Sequence, residues 1–227
     1  MIRTYLVLGS NSAAGVAVVL RLQNLGEQVI RIDASAADIN VDFSTAAGRL
    51  EAIEKVLELN VLQVDAIIST LKTTANKPVA IATNFFGITQ FIEGLYDELK
   101  KSPSPRISIL NYYDQNGDTS DPLLNAIMNS GERKSLKLAQ QILETNPRSA
   151  YKNYTSSQKA LQLWVQEIAH LKHWVLPSIL INSVTSDDTK TNDEIAELLV
   201  WLASPANQTH SGEILTTKAL AKLRLKK

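Results

Sequence analysis

The segment YKNYTSSQKALQLW, residues 151–164, holds tyrosines, serines and a lysine in an order suited to proton transfer in a redox reaction. A phenol releases its proton near pH ~10 unless a cation stands close by. A unit charge about 4 Å away is worth on the order of 4 kcal/mol at an effective dielectric of about 20. On a helix, residues four apart share a face, so Tyr154 and Gln158 project together. Lys159 is turned about 140° from Tyr154, at roughly 100° per residue. The residue placed to assist Tyr154 is therefore an amide, and the lysine faces elsewhere.

A second group lies near the N-terminus, in LGSNSAAGVAVVL, residues 8–20, where an apolar run gives way to small residues and then to helical spacing. Gly9 suits a tight turn. Ser10, Asn11, Ser12, Ala13, Ala14 and Gly15 are small enough for backbone and helix end to approach a pyrophosphate, whose charge the free N–H groups and the helix dipole favour. Eighteen residues after Gly15, the run QVIRID ends in Asp33, where an acid can hold the ribose 2′-hydroxyl of NAD and repel the 2′-phosphate of NADP. NAD is thus the expected cofactor, with NADP disfavoured. Arg31, two residues earlier on the same strand face, either softens that preference or is simply exposed.

These groups need a frame, and the hydrophobic pattern supplies one. Short runs rich in β-branched residues alternate with longer segments of helical period, which predicts a parallel sheet with crossover helices. Strands are expected near 3–8, 28–32, 65–69, 106–110, 175–182 and 213–216, and helices near 13–25, 45–59, 77–101, 133–144, 150–172 and 191–203. Ser44 and Thr191 or Asn192 are candidate caps, and Pro78 suits a first helical turn. The stretch 111–132 is expected to be irregular. The fold class is α/β, a three-layer doubly wound parallel sheet, the Rossmann fold, in one domain over 1–227.

Composition narrows the partners. Lys plus Arg and Asp plus Glu each number 23, so no basic field draws nucleic acid or anionic lipid. Cysteine is absent, which excludes disulfides and thiolate chemistry and agrees with a reducing compartment. No apolar run is long enough to span a bilayer and no signal peptide is evident, so the chain reads as cytoplasmic. His170, His173 and His210 read as exposed, with no metal spacing, and Trp164, Trp174 and Trp201 as packing residues.

The turn and the Tyr154 segment together resemble the short-chain dehydrogenase/reductase family, and RIDASAADINVDFSTAAGRLEAIEKVL is similar to its bacterial 3α-hydroxysteroid dehydrogenase branch. The resemblance covers nearly the whole chain, including DEIAELLVWLASPANQTHSGEIL near its end. It implies that Asp42 reaches the adenine ring with Phe43 beside it, or else that Phe43 is a core aromatic. Ser69 and Thr70 stand where the family lines the cofactor with Asn-Ala-Gly. Asn84 matches an asparagine that holds a water for proton relay, or it closes a helix bend. Asn111 and Tyr112 replace the usual serine pair; either can polarise a carbonyl, or both are plain strand-end groups. Gln158 replaces the family lysine and can bond a ribose hydroxyl. The Pro-Gly after the sixth strand is missing and the loop following it is short, which implies a more open pocket.

The expected activity is NAD(H)-dependent interconversion of an alcohol and a ketone. Tyr154 is the proton donor, supported by Asn84, Asn111 and Gln158. Tyr112 and Tyr113 are the alternative acids. The rival readings are a dinucleotide-binding pseudoenzyme or regulatory protein, and a scaffold acting through oligomer contacts. Helices 77–101 and 150–172 resemble those that pair between subunits, giving a homodimer or homotetramer.

Overall fold

A computed structural model describes residues 2–59, 63–112, 117–186 and 191–216. Strand β1, Thr4–Leu8, shows why the fold has three layers. All five residues are buried, with Tyr5 and Val7 entering one apolar cluster and Leu6 and Leu8 the other. Period-two alternation in a strand buried on both sides requires cover on both faces. Helix α1, Ala13–Asn24, covers one face together with α10, Asn192–Leu202.

The sheet has seven parallel strands in the order β3-β2-β1-β4-β5-β6-β7. After β1 these are β2, Gln28–Asp33; β3, Ile39–Asn40; β4, Ala66–Ser69; β5, Arg106–Asn111; β6, Leu180–Thr185; and β7, Ile214–Thr216. The order reverses between β1 and β4, and a sheet of this kind opens a crevice at the carboxyl ends of the strands there. The doubly wound expectation holds. The pair β3 was not expected, because two residues carry no period.

The second face is covered by α2, Ala46–Glu58, by a helical run from Val79 to Leu99, and by α8, Tyr151–Ile168. The single helix expected over 77–101 is divided. A short α3, Val79–Ile81, leads into a π-helical turn, Ala82–Gly87, then α4, Ile88–Gly94, and α5, Tyr96–Leu99. Asn84 lies within the wide turn, where its amide bonds a neighbouring loop rather than fitting a regular helix.

Three further expectations are corrected. Within the stretch expected to be irregular lies α6, Asp121–Asn129, with Pro122 in its first turn and Leu123, Ala126 and Ile127 buried at helical spacing. Thr45, not Ser44, caps α2, accepting the Gly48 N–H at 3.0 Å. The strand expected at 175–182 lies instead at 180–185. Its apolar beginning is the end of α9, Lys172–Val175, followed by exposed Leu176 and by Ser178 at φ 59°. Thr191 caps α10 in a reciprocal box with Glu194, as the sequence suggested.

Helix α6 and α7, Glu132–Thr145, form a hairpin about Gly131, joined to α8 through a 3₁₀ turn, Pro147–Ser149. The hairpin packs on α8 through α6. Arg49 of α2, 1% exposed, fixes it there. The guanidinium donates to Glu132 of α7, to Gln90 Oε1 at 2.9 Å and to the Phe43 carbonyl at 3.0 Å. Arg49→Met leaves Glu132 without its cation and should lower unfolding free energy by about 3 kcal/mol, measured by urea denaturation.

Candidate active site

The end of β1 and the start of α1 approach so closely that side chains are excluded. A Cβ at Gly15 would lie 2.2 Å from the Gly9 carbonyl oxygen, and one at Gly9, whose φ is +71°, would lie 2.6 Å from the Leu71 nitrogen. Ser12 caps α1, its hydroxyl accepting the Gly15 N–H at 2.9 Å and pairing with the Thr70 hydroxyl at 2.9 Å. Thr70 in turn donates to the Gly9 carbonyl at 2.8 Å, tying the end of β4 to the turn. The remaining first-turn N–H groups, flanked by Ala13 and Ala14, lie at the crevice where the strand order reverses. Ser10 is 2% exposed and its hydroxyl has no partner among the described residues.

Asp33 closes β2 beside this turn. One carboxylate oxygen accepts the Asn11 N–H at 2.8 Å and the other the Ala34 N–H at 2.7 Å. Each oxygen keeps a lone pair, so the acid can still accept a hydroxyl. Arg31 does not reach toward it, being paired with Asp38 at 2.8 Å, a contact that holds the Asp38 carboxyl below its usual range. Asp42 is exposed and accepts the Ser44 N–H at 2.9 Å. Phe43 is a core side chain, 3% exposed, with its ring edge-on to Phe91. Ser69 is buried within β4.

At the other side of the crevice, α8 meets the ends of β5 and β6 through amides. Gln158, 1% exposed, accepts the Tyr112 N–H on its side-chain oxygen at 3.0 Å. Asn111, fully buried, donates to the Gln158 backbone carbonyl at 2.8 Å and accepts from Gln162 at 3.2 Å, while Gln162 also donates to Thr185 at 3.2 Å. Gln158 and Asn111 are thus buried, and each answers a buried polar group of the other element. Asn84 is likewise engaged: it accepts the Thr73 N–H at 2.7 Å and donates to the Thr73 carbonyl at 3.0 Å and to Ser157 at 3.3 Å. Its side chain ties the π-helical turn to the loop at Thr73 and to α8.

Tyr154 is half-buried one turn before Gln158, and Tyr112 follows β5. The two phenols stand close enough for their charges to interact. Burial, reinforced by Tyr154, pushes the Tyr112 phenol up to about 12. Lys72, beyond the end of β4, holds its Nζ 3.3 Å from the centre of the Tyr112 ring. No motif in the sequence marked Lys72, since a lysine in a loop is ordinarily a solvated one. Tyr113 and the loop after Ser186 lie outside the described residues.

Among the described residues no group of three or more ligating side chains that could hold a metal ion occurs. His210 is half-buried rather than exposed and bonds Glu213 at 2.8 Å. No described helix is long and apolar enough to cross a membrane.

No family model matches the chain. A curated relative, the 3-alpha-hydroxysteroid dehydrogenase/carbonyl reductase of Comamonas testosteroni, is 25% identical over 198 residues, covering 82% of this chain and 73% of the relative. The 3-alpha-hydroxysteroid dehydrogenase of Pseudomonas sp. B-0831, solved with NADH, superposes with a TM-score of 0.83 at 24% identity over 99% of both chains. The chain is thus similar in sequence to a hydroxysteroid dehydrogenase and shares the fold of solved short-chain dehydrogenases/reductases. Structures more distant in sequence share its fold, including the menthone neomenthol reductase of Mentha piperita, at TM-score 0.72 and 17% identity over 96% of this chain and 99% of that one. Asn111 and Tyr112, which the resemblance sets at the serine positions, both bond Gln158, which it sets at the lysine position.

The raised pKa of Tyr112 sets a pH window. Between its ordinary value near ~10 and the folded value of about 12, the native protein keeps a proton that the unfolded chain has released, so stability falls as pH rises through that range. Urea midpoints measured from about pH 9 to about pH 11.5 should fall less steeply for Tyr112→Phe than for the parent protein.

Proposed function

We propose that this protein interconverts an alcohol and a ketone using NAD(H), with Tyr154 as the proton donor. The observation that carries the reading is convergence at the carboxyl end of the sheet. There the side-chain-free turn of Gly9 and Gly15 opens onto the β1/β4 crevice, Asp33 closes one side, and Tyr154 with Tyr112 stands on the other.

The residues fit a dinucleotide. The small residues Ser10 to Gly15 and the N–H groups of α1 would hold the pyrophosphate, and the unpartnered Ser10 hydroxyl is a polar group still without an answer. Asp33 would take the ribose hydroxyl, and its charge opposes a 2′-phosphate, since Arg31 is held by Asp38. Asp42 would lie toward the adenine end, with Phe43 behind it in the core, and Ser69 and Thr70 would line the nicotinamide side. When bound, NAD(H) supplies the hydride acceptor or donor.

The chain's own part is the proton. Tyr154 gives its phenol proton to the carbonyl oxygen in reduction and takes one from the hydroxyl in oxidation. Tyr112, kept protonated by burial, can donate a hydrogen bond to the same oxygen. Asn111, Gln158 and Asn84 act by position, holding α8 against β5 and against the loop at Thr73. The substrate is a small alcohol or carbonyl compound. We read the protein as one domain, cytoplasmic, acting as a homodimer or homotetramer, and without a nucleic-acid or membrane partner.

Tyr154→Phe tests this. In a screen of carbonyl and alcohol substrates, turnover should fall by about 10²–10⁴-fold while NADH affinity stays within about twofold. Unchanged turnover would remove Tyr154 from the reaction and direct attention to Tyr112 or Tyr113.

A further inference from the structure

We propose that Lys72 is the cation that favours the Tyr154 phenolate, the part that Gln158 cannot play. The inference rests on Tyr154 as the proton-transferring group of the proposed reaction.

Three observations support it. The first is position: Lys72 Nζ lies 3.3 Å from the centre of the Tyr112 ring, and Tyr112 is the group whose charge interacts with that of Tyr154. A cation over an aromatic face is attracted by the ring whether or not the phenol is ionised.

The second is anchorage. Lys72 is exposed, yet the backbone on either side of it is fixed. Thr70 is bonded to the Gly9 carbonyl, and Thr73 has both its N–H and its carbonyl bonded to the Asn84 amide. Asn84 also donates to Ser157, whose hydroxyl donates to the Tyr154 carbonyl at 2.7 Å. A continuous chain of hydrogen bonds therefore runs from the residue next to Lys72 to the backbone of Tyr154.

The third is a division of labour between the phenols. Burial keeps Tyr112 protonated to about 12, so the charge of Lys72 has Tyr154 as the phenol to act on. Among the described residues, the neighbouring ionisable groups named here do not substitute for it. On α8, Lys152 is paired with Asp118 at 2.7 Å, and Tyr151 bonds the same carboxylate. Lys159 is half-buried on a face turned away from Tyr154. The α1 turn, residues 9–15, has no ionisable side chain.

Lys72 acts through space on the group that moves the proton. It is a positioning and electrostatic residue. In oxidation, with NAD bound to supply the hydride acceptor, the substrate hydroxyl proton would pass to the Tyr154 phenolate. Lys72 gains and loses nothing.

The test is the alkaline ultraviolet titration of the protein without cofactor. The difference between the parent protein and Tyr154→Phe isolates the Tyr154 phenolate. Repeating that subtraction in a Lys72→Met background should move its midpoint up by about one pH unit, and in a Lys72→Arg background should leave it near the parent value. A midpoint unmoved by Lys72→Met overturns the proposal. So does an equal rise in both Lys72 backgrounds, which would mark a structural effect of the side chain. If the midpoint moves as expected but no substrate turns over, Lys72 keeps its role and the oxidoreductase reading fails instead.

Discussion

The approach of α1 to the end of β1 is the constraint on which the rest depends. With a Cβ at Gly15 placed only 2.2 Å from the Gly9 carbonyl, no other residue type fits without shifting backbone. Because helix and strand touch there, Ser12 can cap α1 and reach Thr70, and the ends of β1 and β4 are joined at the point where the strand order reverses. Gly9 and Gly15 add no side chain there, and the first-turn N–H groups of α1 that Ser12 leaves free are suited to an anion. One packing requirement thus fixes the sheet's central crossover and shapes its binding face.

Across the crevice the organising force is different. Amides, not charges, join α8 to the strand ends, and the residues at 111, 112, 158 and 162 make sense as a set. Gln158 answers the Tyr112 N–H, Asn111 answers the Gln158 carbonyl, and Gln162 answers Asn111 and Thr185. A lysine at 158 would bring a charge into a position now 1% exposed, at a desolvation cost that its amide neighbours do little to offset. The network therefore stabilises Tyr154 in position while withholding the field a lysine would supply. On the proposed reading, that field would come from Lys72, which lies over the Tyr112 ring from the loop beyond β4.

Much of this was legible in the sequence, for reasons specific to each part. The β-branched runs of β1, β4 and β5 are buried on both faces, so tertiary context and local pattern agree there. Gly9, Gly15 and Asp33 announce themselves because their spacing is dictated by a backbone geometry that few residue types tolerate. The inward turn of Gln158 and Asn111 was hidden, since an amide suits a solvated cleft and a buried network equally well. Helix α6 was obscured by the Asn, Gly and Asp that precede it, although Leu123, Ala126 and Ile127 carry the helical period. Val175 and Leu176 misled in the opposite direction, being apolar yet exposed at the end of α9. Lys72 had no sequence signal, because its significance lies in a ring brought to it from forty residues away.

The most direct measurement is calorimetric titration of the purified protein with NADH and with NADPH, repeated for Asp33→Asn. The account predicts that NADH binds at least about tenfold more tightly, a difference of about 1.4 kcal/mol, and that Asp33→Asn narrows the gap by improving NADPH. Equal affinity for the two, a preference for NADPH in the parent protein, or no binding of either would contradict it.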